Sequence, residues 1–255
     1  DGYLHFGTMA GSYYILDTAD GRPVKVIDCG EPIFATPVVG NGRVYFATLG
    51  SRVHALRPDG TTVWTWDFVR EVLKFTGNRF SGEDWVRLKG STSWKDQFFC
   101  VQDPALVDDT LVLPAGGLVV WLQDKGDSPR PRATYHSRRE APATLGLSVD
   151  AEGAVYRQWT RRDNGGNVEV LRPFKDEVKV DYVRGTETTY QGAGSLSFSS
   201  VSIRGNDVFR CRPEEGFGLC RHSTHADQSP QTECLGGYPS ISSPILLADK
   251  AVYGG

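Results

Sequence analysis

Residues 42–60 read GRVYFATLGSRVHALRPDG, and residues 2–21 read GYLHFGTMAGSYYILDTADG. One phrase occurs twice, 40 residues apart. Self-similarity at such a period is the mark of a repeat architecture and decides the fold before any local reading does. The anchor of the phrase is Val44, preceded by the turn pair Asn41-Gly42. Asn-Gly between apolar runs is a strong hairpin signal. The same strand-after-turn pattern recurs at Leu4, Leu111, Val155, Val208 and Val252, in steps of 40, 67, 44, 53 and 44.

A step of 40–45 residues that holds several short strands is the size of one four-stranded propeller blade. The second repeat divides into strands over 34–39, 44–48, 53–57 and 63–68. RPDG at 57–60 is the turn before the last strand, and TADG at 18–21 fills the same slot in the first repeat; Pro and Asp-Gly suit these positions by their backbone preferences. Trp64 and Trp66 lie two apart on the closing strand and are expected to pack between blades. No long stretch shows helical periodicity, and 68–75 (FVREVLKF) allows only a turn or two. The expectation is an all-β chain, a β-propeller of four-stranded antiparallel blades, with about four full and two partial blades in one domain over 1–255.

The totals agree. The chain has 255 residues with 12 Phe, 10 Tyr, 6 Trp and 29 Gly, a composition suited to pleated, half-buried surfaces. A net charge of −3 is unlike the strongly basic footprint of a nucleic-acid binder. There is no apolar run of 18 residues, hence no membrane-spanning helix, while docking to a membrane-associated assembly stays open. The first residue is Asp1 rather than Met, so an export signal preceding it would not be seen.

The phrase has a family likeness. PIFATPVVGNGRVYFATLGSRVHALRPDGTTVWTWD (32–67) resembles the PQQ-like β-propeller repeat, shared by quinoprotein alcohol dehydrogenases and the outer-membrane assembly lipoprotein BamB. ISSPILLADKAVYGG (241–255) is similar to the first half of such a repeat, and residues 1–28 to the last three strands of one. The likeness is strong over 1–67 and 238–255 and thinner over 98–180 and 190–235. In that family seven or eight blades are usual. The resemblance therefore implies either a segment of a longer ring or a smaller ring with an irregular closing blade.

The resemblance raises a PQQ cofactor with a calcium ion. Its dehydrogenases carry adjacent cysteines, an indole over the quinone and acidic calcium ligands. Here the cysteines stand at 29, 100, 211, 220 and 234, none adjacent, and no tryptophan is placed on a cofactor face. No cofactor is expected. Nucleophile-elbow and phosphate-loop motifs are missing, and DDT (108–110), EE (214–215) and DAEG (150–153) read as turns.

Three segments remain as sites. The step of 67 exceeds its neighbours by about 25 residues, an inserted loop over 70–97. Its aromatics Phe80, Trp85 and Trp94 either form an interface hot spot or pack across a propeller face. The run SPRPRATYHSRRE (128–140) offers Arg130, Arg138 and Arg139 to an acidic partner, or is a solvated loop; Arg161 and Arg162 stand at the matching edge of the next repeat. The stretch 211–236 is expected as a polar Cys/His loop. Within it, Cys211, Cys220 and Cys234 are disulfide candidates, and Cys220, His222 and His225 a weaker metal set. A disulfide would imply an oxidising compartment, periplasmic or otherwise extracytoplasmic. The functional expectation is a non-catalytic scaffold that presents loops to protein partners. The alternatives are a PQQ-dependent dehydrogenase and a structural subunit of a larger assembly.

Overall fold

The computed structural model describes residues 2–90, 98–136, 147–150, 152–161, 165–174, 177–183, 201–212, 217–223, 231–236, 245–248 and 251–252. The chain divides into two compact units, Asp1–Arg138 and Arg139–Gly255.

The first unit holds three antiparallel sheets. The first has β1 (Tyr3–Gly7), β2 (Ser12–Asp17) and β3 (Pro23–Asp28). The second has β4 (Val38–Gly40), β5 (Arg43–Ala47), β6 (Arg52–Leu56) and β7 (Thr62–Asp67). The third has β8 (Ala105–Val107), β9 (Thr110–Ala115), β10 (Leu118–Asp124) and β11 (Pro129–His136). Within each sheet every strand pairs with the next in sequence, the order of a propeller blade. The β4–β5 turn shows why the sequence folds so. Gly40 pairs with Arg43, and Asn41 and Gly42 both take positive φ (54° and 68°), which the mirror-image hairpin turn demands.

The second blade is buried on both faces. Val44 and Phe46 of β5 enter one core with Tyr13, Ile15 and Leu56, where Phe46 stacks on Tyr13 at 3.8 Å. Tyr45 and Ala47 enter the other, with Trp64, Trp66, Leu111, Leu113 and Val120. Trp64 and Trp66 therefore pack between blades as the pattern indicates, and the Trp64 indole donates to Asp124 of the third blade at 3.2 Å.

The second unit continues the pattern. One sheet has β12 (Leu147–Val149), β13 (Val155–Arg161), β14 (Gly165–Phe174) and β15 (Glu177–Tyr182). The next has β16 (Ser202–Arg204), β17 (Asp207–Arg212), β18 (Phe217–Ser223) and β19 (Gln231–Gly236), and a last pair is β20 (Ile245–Leu246) with β21 (Ala251–Val252). All six anchor residues fall on the second-strand phrase: Leu4 on β1, Val44 on β5, Leu111 on β9, Val155 on β13, Val208 on β17 and Val252 on β21.

Several local expectations are corrected. The segment 211–236 is not an extended loop: its described part supplies the last two strands of a blade, β18 and β19. The start of the basic run is strand β11, not a loop. The insertion contains helices α1 (Phe68–Glu71) and α2 (Gly82–Lys89). The first strand of the second blade begins at Val38, four residues later than the apolar run suggests.

Candidate functional site: the insertion face of the first unit

The insertion is built around Trp85. Asp67 caps α1 by accepting from the Arg70 amide, and Ser81 caps α2 by accepting from the Asp84 amide. Helix α2 stops at Gly90, which takes the left-handed conformation (φ 66°) that ends many helices. Trp85 is fully buried, stacked between Phe75 (3.8 Å) and Phe98 (5.4 Å), and its indole donates to the Arg79 carbonyl at 2.9 Å. Trp85 is thus core, not partner surface. Of the two readings of the insertion aromatics, packing is the one realised at this residue. Phe80 remains 38 % exposed, its ring edge-on to Phe98 at 6.0 Å. Trp94 lies outside the described residues.

Beneath Phe80 the insertion meets the β5–β6 turn and the segment after β3 through a lattice of charges. Glu31, only 5 % exposed, accepts from the Thr48 hydroxyl and faces Arg52 at 3.4 Å and Arg79 at 3.6 Å. Asp67 is bonded to Arg79 and faces Arg70 at 3.8 Å and Arg52 at 4.0 Å. Arg79 also donates to the Gly50 carbonyl at 2.8 Å. Gly50 has no room for a side chain: a Cβ there would fall 2.5 Å from Glu31 Oε2 and 2.7 Å from Arg79 Cδ. Three guanidinium groups face two carboxylates, so the lattice carries one positive charge in excess.

A cavity of about 310 Å³ opens beside the lattice, lined by Glu31, Arg52, Arg70 and Arg79 and by the exposed Phe80, with Val69 and Phe75 buried behind them. Arg79 is committed to the protein by its short bonds. Arg70, its side chain 73 % exposed, and Arg52 hold only the longer contacts and turn toward the opening. The Cys29 thiol also borders the cavity, but burial and the nearby Asp28 and Glu31 push it up to about 11, and it donates to the Ile27 carbonyl at 3.9 Å. A thiol so protonated is no nucleophile at neutral pH. The chemistry on offer is recognition of an anion beside an apolar group.

The other expected sites fare differently. Arg130 lies exposed on β11, paired with Gln123; Arg138, Arg139 and Arg162 lie outside the described residues, as does His225. Cys220 and His222 share β18, and His222 is buried with Nδ1 2.9 Å from Thr232 Oγ1. Among the described residues no three His, Cys, Asp or Glu side chains converge to hold a metal. Glu31, Arg52, Asp67 and Arg79 went unnoticed in the sequence: they lie on four separate segments, and nothing in their local spacing joins them.

No protein-family model matches the chain, and no curated protein sequence matches it. Solved structures do. BamB from Moraxella catarrhalis superposes with a TM-score of 0.53 at 13 % identity, over 99 % of this chain and 76 % of that one. Quinohemoprotein alcohol dehydrogenase from Comamonas testosteroni superposes at 0.63 and 12 % identity, over 98 % of this chain and 45 % of that one. The enzyme ADHIIG from Pseudomonas putida HK5 gives 0.57 and 12 %, over 92 % and 41 %. The fold is that of the PQQ-like β-propellers. The chain spans less than half the length of either dehydrogenase. Cys29 and Cys100 are single buried thiols, each donating to a backbone carbonyl two residues away. No helix among the described residues is long and apolar enough to cross a membrane.

Proposed function

We propose that this chain is a non-catalytic binding propeller, working outside the cytoplasm without a quinone or calcium, that presents the insertion face of its first unit to a protein partner. The arginine-lined cavity beside Phe80 is the observation that supports this reading. The exposed guanidinium of Arg70 at its opening suits a carboxylate. Phe80, exposed beside it, suits an apolar side chain next to that carboxylate. An aromatic half-buried at the rim of a charged pocket is the usual make-up of an interface anchor. A sheet scaffold carrying the helices α1 and α2 limits the entropy lost on docking.

The test is selection of random displayed peptides on the immobilised chain and on its Arg70→Glu variant. Enriched peptides should carry Asp or Glu beside a large apolar residue, and should be lost on the variant and at about 0.5 M salt, where exposed charges are screened. Phe80→Ala should weaken a selected peptide about tenfold. Equal enrichment on both proteins would remove this face as the binding surface. Intact native mass addresses the dehydrogenase alternative: a bound quinone with calcium would make the chain an oxidoreductase.

A further inference from the structure

The second unit places two cysteines directly opposite each other. In the β18–β19 ladder Cys220 is the register partner of Cys234. The rung borders a bulge between Leu219 and Cys220 and begins the regular run to Ser223 and Gln231. Opposed residues in a regular antiparallel pair have Cα atoms about 4.5 or 5.5 Å apart, according to the hydrogen-bonding position. Both spacings fall inside the window of about 4.4–6.8 Å that a disulfide spans. Side chains meet across this ladder at the neighbouring rungs. Arg221 pairs with Glu233 at 2.7 Å, and His222 Nδ1 lies 2.9 Å from Thr232 Oγ1. The second of these rungs is two residues from Cys220, on the same face of the sheet.

Register also sorts the third candidate. Cys211 on β17 is the register partner of Leu219, not of Cys220 or Cys234. The remaining cysteines, Cys29 and Cys100, are in the other unit and buried.

We propose that Cys220 and Cys234 are an oxidisable pair that closes into a cross-strand disulfide in contact with an oxidising thiol–disulfide pool. Both are thiols in this structure. Cys234 is half-buried and Cys220 buried, which orders the reaction. The Cys234 thiolate, its proton passed to water, attacks one sulfur of glutathione disulfide and expels one glutathione thiolate. Cys220 then loses its proton and attacks Cys234 Sγ, expelling the second. Two thiols become one disulfide, and the two electrons leave in two molecules of glutathione. The link ties the outermost strand of the blade to its neighbour, the edge most open to fraying in a sheet.

The experiment uses the folded full chain, incubated with glutathione disulfide, alkylated, digested without reductant and mapped by mass spectrometry. The expected result is a loss of about 2 Da and one linked peptide pair holding Cys220 and Cys234. The link should persist in Cys211→Ser and vanish in Cys234→Ser. A link from Cys211 to either residue, or full alkylation of both cysteines after oxidation, overturns the proposal. If Cys234→Ser does not fold, the map of the unmutated chain decides alone.

Discussion

Asp124 gathers three side chains from the neighbouring blade: Arg43, Tyr45 at 2.7 Å and Trp64 at 3.2 Å, together with the amide of Gly126. Burial works against its charge, but these donors outweigh it and hold the carboxyl below its ordinary value. Stability from this group is present above about pH 4 and is lost as pH falls through its lowered folded value. Asp124→Ala leaves the donors unmatched and should cost about 2–3 kcal/mol in denaturant titration. His54 works in a different window. Its ring lies flat on Phe46 at 4.7 Å, and Nε2 is buried without a hydrogen-bond partner. Burial, with Arg52 beside it, pushes its pKa down from 6.5 to about 4. The unfolded chain takes up the proton first as pH falls. Stability is therefore flat above pH 6.5 and declines from there toward pH 4, by up to about 3 kcal/mol. His54→Phe should flatten that decline while leaving the fall below pH 4.

At the scale of elements, the described part of the insertion is two short helices whose residues pack and pair against the second blade. The second helix was announced by residues that were available to read: Ser81 with Asp84 three positions on is a start signal, and Gly90 a stop. Ser81→Ala should cost about 1 kcal/mol in thermal or chemical unfolding. Trp85→Ala, which empties a site between two stacked rings, should cost about 3–5 kcal/mol. If instead Trp85→Ala left stability unchanged and abolished peptide binding, the residue would be surface after all. Another regularity belongs to this scale. The pairing of third with fourth strand shifts register at Ile15/Leu16, Ala55/Leu56, Trp121/Leu122 and Leu219/Cys220. A bulge increases local twist in these four blades, while the β14–β15 pair runs in unbroken register. No residue type marks it in the sequence.

For the whole molecule, each unit has an apolar core of its own among the described residues. One is centred on Trp64, Trp85, Leu113 and Val120 and the other on Val168, Val170, Val201 and Val208. Differential scanning calorimetry should show two transitions, with Trp85→Ala lowering only one of them. A single transition shifted as a whole would mean that the units unfold together.

The repeat, the strand count within each blade and the apolar pattern of β5 and β9 were legible because they are local: turn residues have their own backbone preferences, and a strand buried on both faces must be apolar throughout. The burial of Trp85, the meeting of Glu31, Arg52, Asp67 and Arg79, and the facing of Cys220 with Cys234 were decided by tertiary structure. Each depends on which segments, from 10 to 48 residues apart, are brought side by side, and on strand register, where a slip of one residue exchanges the two faces.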